Sequence, residues 1–203
     1  MKILNALAVV AALAAAMPLA ARADDDGLDP TKAAAFDNRV FAGPIGDKAT
    51  ACFVRSYDAR HLAQHPKQKV SGMKLLVTAE NRTSEPTSYA YRIGVQFRNR
   101  PGNFDGGSSC GHLLSTDGRD EITFSCDVEC GGGGLEIAMA KDNKSAIVRL
   151  EVIAVWNRKH PDGEPESLQG GADDKVFRVD RVDTSECAEL LNKDGELAQL
   201  QQK

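Results

Sequence analysis

Five cysteines carry the clearest chemical signal in this 203-residue chain. They are Cys52, Cys110, Cys126, Cys130 and Cys187. Cys126 and Cys130 are separated by three residues, whereas the Cys-x-x-Cys redox motif has two, and the pair ends a predicted strand where that motif opens a helix. The pattern therefore favours structural disulfides over redox catalysis, and over a soft-metal site that would add His112.

Turn chemistry decides which cysteines can face each other. The dipeptide at 117–118 is Asp-Gly, which suits a tight hairpin between two predicted strands. With a three-residue loop or a bulge at this turn, Cys110 faces Cys126. A strict two-residue turn would instead place Cys110 opposite Ser125, so the predicted bridge depends on the longer connection.

A second bridge is predicted between Cys52 and Cys187, which lie near the two ends of the predicted β region. Five is an odd number, so one thiol is left over. We expect Cys130 to be the unpaired cysteine, with a Cys110 to Cys130 bridge as the alternative.

Two histidines have the spacing of a metal-binding pair. His61 and His65 would lie on one face of a helix, as two imidazole ligands require. Pro66, however, disfavours the helical region for the residue before it, and no third ligand lies nearby in the sequence. We therefore expect a structural or surface pair, with no metal ion and no cofactor.

Four consecutive glycines at 131–134 invite comparison with a phosphate-binding loop. Such a loop is followed by Lys-Ser/Thr and the start of a helix, but here Leu135 opens a predicted strand. The glycines instead indicate a sharp bend, a bulge or a place where another backbone passes close.

An enzymatic interpretation needs residues that are far apart in the sequence. The sequence has no nucleophile elbow and no His-Glu-x-x-His helix, so we assign no catalytic residue. An enzyme would have to bring several titratable side chains into one cleft with displaced pKa values. The candidates are Asp58, His61, His112, Asp127, Glu129, Asp173 and Asp174.

Alternating apolar and polar residues predict β-strands between positions 50 and 181. The clearest case is 89–97, where Tyr, Tyr, Ile, Val and Phe occupy every second position. The same period recurs over 122–128 and 135–139. The stretch 146–156 is apolar on both faces and is predicted to be one central strand.

About eight such strands, joined in order by short turns, predict an all-β fold: an antiparallel β-sandwich or an up-and-down barrel. The single β domain is expected over 50–192, with its last strand at 175–181. The segments 99–109 and 157–174 lack periodicity, so we predict exposed loops there.

Helix is predicted only near the ends of the chain. Asp29-Pro30 favours a short helix over 31–40, within an N-terminal extension at 24–49. A second helix is expected over 183–191, with Thr184 as its N-cap, and a polar tail follows at 193–203.

The first 23 residues have the three parts of a secretory signal peptide. Lys2 supplies the charged start, an apolar run follows over 3–17, and Ala21-Arg22-Ala23 is a small-x-small cleavage site. The run is shorter than the roughly 20 apolar residues of a membrane-spanning helix. We therefore predict export across a bacterial inner membrane, removal of 1–23, and a periplasmic or secreted protein with no later membrane insertion.

The predicted mature chain is acidic. Lys2 and Arg22 account for two of the 25 basic residues, so 23 would remain against 29 acidic ones, a net charge of about −6. This balance, without a run of Lys and Arg, argues against nucleic acids and anionic membranes as partners.

Three segments form a recognisable set: Tyr57-Asp58 with His61-Leu62 and His65-Pro66, then Cys126-Asp127-Val128-Glu129-Cys130, then Asp173-Asp174-Lys175-Val176-Phe177-Arg178. Together they resemble a group of uncharacterised bacterial exported proteins, over most of the mature chain. The resemblance implies export. It implies no activity and carries no catalytic or binding residue onto this sequence.

Three classes of function rank in order of what each demands of the sequence. A non-enzymatic binding or interaction module needs only a stable β scaffold with loops, and is favoured; its partner would be a protein, a glycan or a small molecule. A small-ligand barrel needs a wide apolar interior, and seven Phe, three Tyr and one Trp give that little support. A hydrolase-type enzyme with a site assembled from distant residues ranks third.

Overall fold

The computed structural model of the chain describes residues 28–115, 121–127 and 133–191. The predicted signal peptide, the polar tail, Cys130 and the turn at 117–118 lie outside the described residues. Within these ranges the chain forms ten β-strands and three short helical elements. No helix in them is long and apolar enough to cross a membrane.

The strands and helices alternate only near the ends of the described chain. In order, the elements are α1 (Pro30–Phe41), β1 (Lys48–Ser56), α2 (Ala59–Gln64), β2 (Val70–Arg82), β3 (Glu85–Phe97), β4 (Arg100–Leu114), β5 (Ile122–Asp127), β6 (Gly134–Met139), β7 (Ser145–Leu150), β8 (Val152–Asn157), β9 (Glu166–Gln169), β10 (Val176–Val182) and the 3-10 helix η1 (Thr184–Leu190).

Eight of the strands close into an up-and-down antiparallel barrel. From β1 to β7, each strand pairs with the next one along the chain, and β10 then pairs with both β7 and β1 to close the circle. The prediction of an all-β antiparallel fold is confirmed, and of the two predicted architectures the barrel is the one that forms. The remaining two strands, β8 and β9, make a hairpin that pairs with β4.

The barrel interior is filled by side chains from the inward face of each strand. The period of two explains the filling, because alternate residues of a strand point to opposite faces. Phe53, Phe124 and Phe177 are almost completely buried there, together with Leu75 and Ile93. Eight strands enclose a space about wide enough for side chains, and these residues occupy the volume that a ligand would need inside a small-ligand barrel.

Helix α1 packs over the end of the barrel where β1 begins, and it forms where the sequence predicted a helix. The Asp29 carboxylate accepts a hydrogen bond from the Thr31 amide at 2.8 Å, and Pro30 occupies the first turn. Phe36 and Val40 are buried in the same core as the barrel strands. The extension therefore contributes its apolar face to the barrel core.

The prediction of one central strand over 146–156 is wrong, because the chain breaks at Glu151 into β7 and β8. Inward-facing residues have even numbers before the break, as Val148 and Leu150 do, and odd numbers after it, as Ile153 and Val155 do. This one-residue change of parity makes the whole stretch look apolar on both faces. After the break the chain pairs with β4 instead of β6 and β10, while Ile153 and Val155 remain in the same core.

Both predicted loops contain strand. Most of 99–109 belongs to β4, which pairs with β3 through eight of its fifteen residues and whose glycines hide the period of two. Within 157–174, β9 pairs with β8, with Ile153 opposite Leu168. β4 is a strand of the barrel wall, and β9 lies beside the barrel as the outer strand of the β8–β9 hairpin.

The other helical elements depart from prediction in detail. The helix α2 was not predicted; the Asp58 carboxylate caps it by accepting from the His61 amide at 2.7 Å. The C-terminal helix is a 3-10 helix, and its N-cap is Asp183 rather than Thr184. The Asp183 side chain reaches the Ser185 amide at 2.9 Å, whereas Thr184 already lies inside the helix.

Candidate functional site

The cysteines form the two predicted bridges, Cys52 to Cys187 and Cys110 to Cys126. The register of β4 with β5 is the one that the longer hairpin connection predicts, with His112 opposite Phe124. The alternative bridge from Cys110 to Cys130 does not form. One disulfide joins the barrel strands β4 and β5 and the other fixes η1 to β1, so both serve the scaffold.

The histidine pair stacks instead of offering two ligand nitrogens. The His61 ring lies 4.5 Å from the Tyr57 ring and 4.3 Å from the His65 ring, measured between centroids. The His61 Nε2 atom lies 3.0 Å from the Gln68 Oε1 atom. In the part of the chain that the structure describes, no three His, Cys, Asp or Glu side chains are grouped to hold a metal ion.

The acidic candidates at the α2 end of the barrel are occupied by backbone amides. Asp58 caps α2, and Asp173 accepts from the Lys67 amide at 3.1 Å. Asp174 is fully buried, with its two oxygens accepting from the amides of Lys69 and Val70. Asp127 ends β5, and Glu129 lies outside the described residues. Asp58, Asp173 and Asp174 therefore hold the chain in place through backbone amides.

His112 lies at the opposite end of the barrel, in a polar network under α1. The Asp37 carboxylate accepts from the Tyr89 hydroxyl at 2.7 Å and lies 2.8 Å from the His112 Nε2 atom. Aromatic rings of Phe36 and Phe124 enclose the imidazole. An ionised carboxylate only accepts, so Nε2 carries the proton, and the network ties α1 to β3 and β4.

All three tyrosines should resist ionisation at the usual alkaline pH. Burial raises the pKa of Tyr91 to about 12, and it also raises the pKa of Tyr57 and of Tyr89, where Asp37 adds to the effect. The folded state therefore favours the protonated phenols. The contribution of this preference to the free energy of unfolding is fully present below the unfolded-state pKa of about 10, and it is lost as the pH rises through the folded pKa. We expect phenolate absorbance of the native protein to stay flat past pH 10, whereas the urea-unfolded chain titrates normally. A tyrosine of the native protein that titrates near pH 10 would contradict this.

Glycines 133 and 134 show the close approach that the sequence predicted. Both have positive φ, and a side chain on Gly134 would collide with the Cys126 carbonyl oxygen of the neighbouring strand. A side chain on Gly133 would collide with Val152. The described part of the glycine run therefore lets β6 start directly against β5 and β8.

The best-formed concave surface that remains is a groove of about 500 Å³ on the outside of the barrel. It runs over the outer face of β3 and β4, between η1 on one side and β8 on the other. Its lining includes Ala90, Arg92, Gly107, Ser108, Trp156 and Leu191. Its volume is within the range of ligand sites in proteins.

Two glycines of β4 create the shape of this groove. A Cβ atom on Gly106 would lie 2.5 Å from the Ala154 carbonyl oxygen, so only glycine lets β8 cross β4 this closely. A Cβ atom on Gly107 would lie 2.7 Å from the Tyr91 carbonyl oxygen and 3.3 Å from the Arg92 Cγ atom. Gly106 therefore lets β8 lie beside the groove, and Gly107 leaves the base of the groove without a side chain.

Trp156 forms the β8 wall, and it is the single tryptophan of the chain. Its backbone pairs with Asp105 of β4, next to the close crossing at Gly106. The indole ring is half-buried, and within the described ranges it meets no other aromatic ring and donates no hydrogen bond. The indole N–H group thus has no acceptor among the described residues, and the side chain lines the groove.

The opposite wall, η1, is held by covalent and ionic contacts. The Cys52 to Cys187 disulfide fixes it to β1, and Arg92 donates from Nη1 to the Leu190 carbonyl oxygen at 3.1 Å. Lys74 pairs with Glu189 at 2.7 Å. These contacts hold η1 in place, so this wall of the groove is preformed in the absence of a ligand.

The charged side chains along the groove already have partners. Arg158 donates to both oxygens of Asp105, at 2.6 and 2.7 Å, and this contact raises the pKa of Arg158. Burial alone would raise the pKa of Glu189, but Lys74, a backbone hydrogen bond and the charge of Arg158 together lower it. The groove consequently combines polar groups with little uncompensated charge.

Sequence reasoning missed this groove, although two signals were present. One was the single Trp156, which was counted only as part of an apolar strand. The other was the pair Gly106-Gly107 within 99–109, a segment predicted to be a variable loop. The residues that meet here are distant in the sequence, so spacing could not reveal them.

Comparison of the chain with protein-family models, with curated proteins and with solved structures gave no match.

Proposed function

We propose that the protein is an exported, non-enzymatic binding module whose ligand occupies the groove between Trp156 and η1. The single observation that carries this proposal is the half-buried Trp156 ring, which lacks an aromatic or hydrogen-bonding partner among the described residues. Two disulfides in the barrel wall are typical of oxidising compartments and support export. The rigid walls limit the entropy that binding costs.

The lining favours a neutral saccharide as the ligand. A sugar has apolar C–H faces that pack on an aromatic ring, and hydroxyl groups that bond to polar side chains at the rim. Asp105 is neutralised by Arg158 and Glu189 by Lys74, so a charged ligand would gain little in this groove.

Replacing Trp156 by Ala should weaken saccharide binding by about tenfold or more, as truncation of a central aromatic anchor does. Neutral chito-, cello- and malto-oligosaccharides are suitable probes. Because Trp156 is the only tryptophan, its fluorescence reports binding to the wild-type chain directly, and calorimetry compares the wild type with the variants. We expect a saturable change with at least one of the three series.

Two variants provide the controls. Trp156→Phe keeps an aromatic face and should retain most of the affinity, whereas Leu113→Ala removes an exposed side chain elsewhere on β4 and should leave binding unchanged. Failure of all three series to bind at millimolar concentration, or equal affinity of Trp156→Ala and wild type, would overturn the proposal.

A further inference from the structure

A second pocket, of about 360 Å³, lies at the α2 end of the barrel and has a different character. It is bounded by the segment that leads into β2, the turn between β3 and β4, and strand β9. Four of its lining residues are cationic and one is acidic: Lys67, Lys69, Arg98, Arg100 and Glu166.

The two lysines are directed to the pocket by an alternating segment. Gln68 between them is buried, with its Nε2 atom donating to the Val70 carbonyl oxygen at 2.7 Å, so Lys67 and Lys69 both face solvent. Asp173 and Asp174 hold the backbone amides of the two lysines from behind. The lysine ammonium groups form no ion pair within the described ranges.

The two arginines are fixed more firmly. Arg98 donates from Nη1 to backbone carbonyl oxygens of the α2 end, among them Leu62 and His65 at 3.2 Å each. Arg100 pairs with Glu166, and its guanidinium carbon lies 4.2 Å from the Phe104 ring centroid and 4.5 Å from that of Phe97. These contacts leave other N–H groups of both guanidinium groups open to a ligand.

This concentration of positive charge is local, because the chain as a whole has a net charge of −4. Within the pocket, Glu166 compensates one of four cations. Like charges held close together repel, and a bound oxyanion would relieve the repulsion while accepting charge-assisted hydrogen bonds. Asp173 and Asp174, which accept from the two lysine amides, reduce this excess of positive charge. A tetrahedral oxyanion is favoured over a carboxylate because it offers more acceptor oxygens to the four cationic side chains.

We propose that this pocket binds the phosphate or sulfate group of a small soluble molecule. Arg98 and Arg100 provide fixed planar donors, and Lys67 and Lys69 provide mobile ammonium groups that close on the anion. The site is separate from the Trp156 groove, so it stands or falls independently of the saccharide proposal.

Titration of the isotope-labelled mature chain with inorganic phosphate, at constant ionic strength, tests the site by NMR. We expect saturable shifts of the backbone amides of 67–69 and 98–100, similar shifts with sulfate, and affinity for acetate weaker by about tenfold. The double variant Lys67→Ala with Lys69→Ala should lose about tenfold in phosphate affinity. Lys141→Ala with Lys159→Ala removes the same charge from exposed sites outside the pocket and should bind as wild type does.

Vesicles of phosphatidylglycerol distinguish a soluble ligand from a membrane surface, and we expect no co-sedimentation with them. The proposal is overturned by phosphate shifts that do not saturate, by equal losses in the two double variants, or by vesicle binding without phosphate binding. Because all four lysines are exposed, the variants should keep the wild-type spectrum elsewhere, and that spectrum reports their folding.

Discussion

Replacing Cys52 and Cys187 together by Ala should lower the free energy of unfolding by about 5 kcal/mol, measured by equilibrium unfolding in urea. The bridge closes a loop with a sequence separation of 135 residues. In the chain-entropy model, such a loop strongly restricts the unfolded ensemble, and the restriction disappears with the bond. The loss is a large share of the stability of a domain of this size.

The shorter bridge provides the matched control. Cys110 and Cys126 are separated by 16 residues, so their double replacement by Ala should cost only about 3 kcal/mol. Both variants remove two sulfur atoms from a buried or half-buried site, and the difference between them isolates loop length. A larger loss from the shorter bridge would contradict this account.

Replacing Phe124 by Ala should cost about 3–5 kcal/mol, because it empties a well-packed place in the barrel core. The Phe124 ring is fully buried, and its centroid lies 5.0 Å from the Phe36 ring and 4.9 Å from the Tyr89 ring. The substitution removes ring contacts that help to join α1 to the barrel, in addition to the Asp37 hydrogen bonds. The loss should appear both in urea unfolding and as an increased rate of amide exchange in α1.

Leu113 is the control for this second substitution. It is 43% exposed on β4, so Leu113→Ala should change the free energy of unfolding by about 0.5 kcal/mol at most. If Phe124→Ala cost no more than Leu113→Ala, the interior would be loosely packed, and a ligand site inside the barrel would again deserve a test.

The scaffold was largely predictable because its signals are local. The alternation over 89–97 and 122–128 identifies strands without reference to the rest of the chain. The apolar positions of β4 and β5 agree with one of the two hairpin registers that the sequence left open, the one that brings Cys110 opposite Cys126, and this register forms. Asp29-Pro30 likewise predicts α1 through capping chemistry that involves only neighbouring residues.

The departures have a common physical origin in tertiary contacts. At Glu151 one strand ends and the next begins. The inward-facing positions change there from even to odd residue numbers, and the apolar run continues without interruption. Glycine is in general depleted from strands, but β4 requires it at Gly106 and Gly107. At these positions β8 and the Tyr91 carbonyl oxygen pass too close for a side chain. Sequence patterns report average strand surfaces and do not record which backbone passes nearby.

The candidate sites were not predictable for a related reason. Trp156, Arg92 and Leu190 meet only after the barrel has closed and η1 has been fixed to it by Cys187. The histidines and carboxylates that sequence spacing singled out are instead used in ring stacks, helix caps and backbone contacts. Residue type indicated which side chains could bind a ligand or catalyse a reaction. Their hydrogen-bond partners in the folded protein determined which of them remained available to do so.

The Cys52 to Cys187 bond determines which part of the molecule bears tension when the two ends of the chain are pulled. Force entering β1 crosses to η1 over a Cα–Cα distance of 5.9 Å, so strands β2 to β10 lie off the load path. Without the bond, the chain between the two cysteines, a separation of 135 positions, could extend by roughly 450 Å under the same pull. Strands β2 to β10 are thus mechanically shielded by a single covalent link.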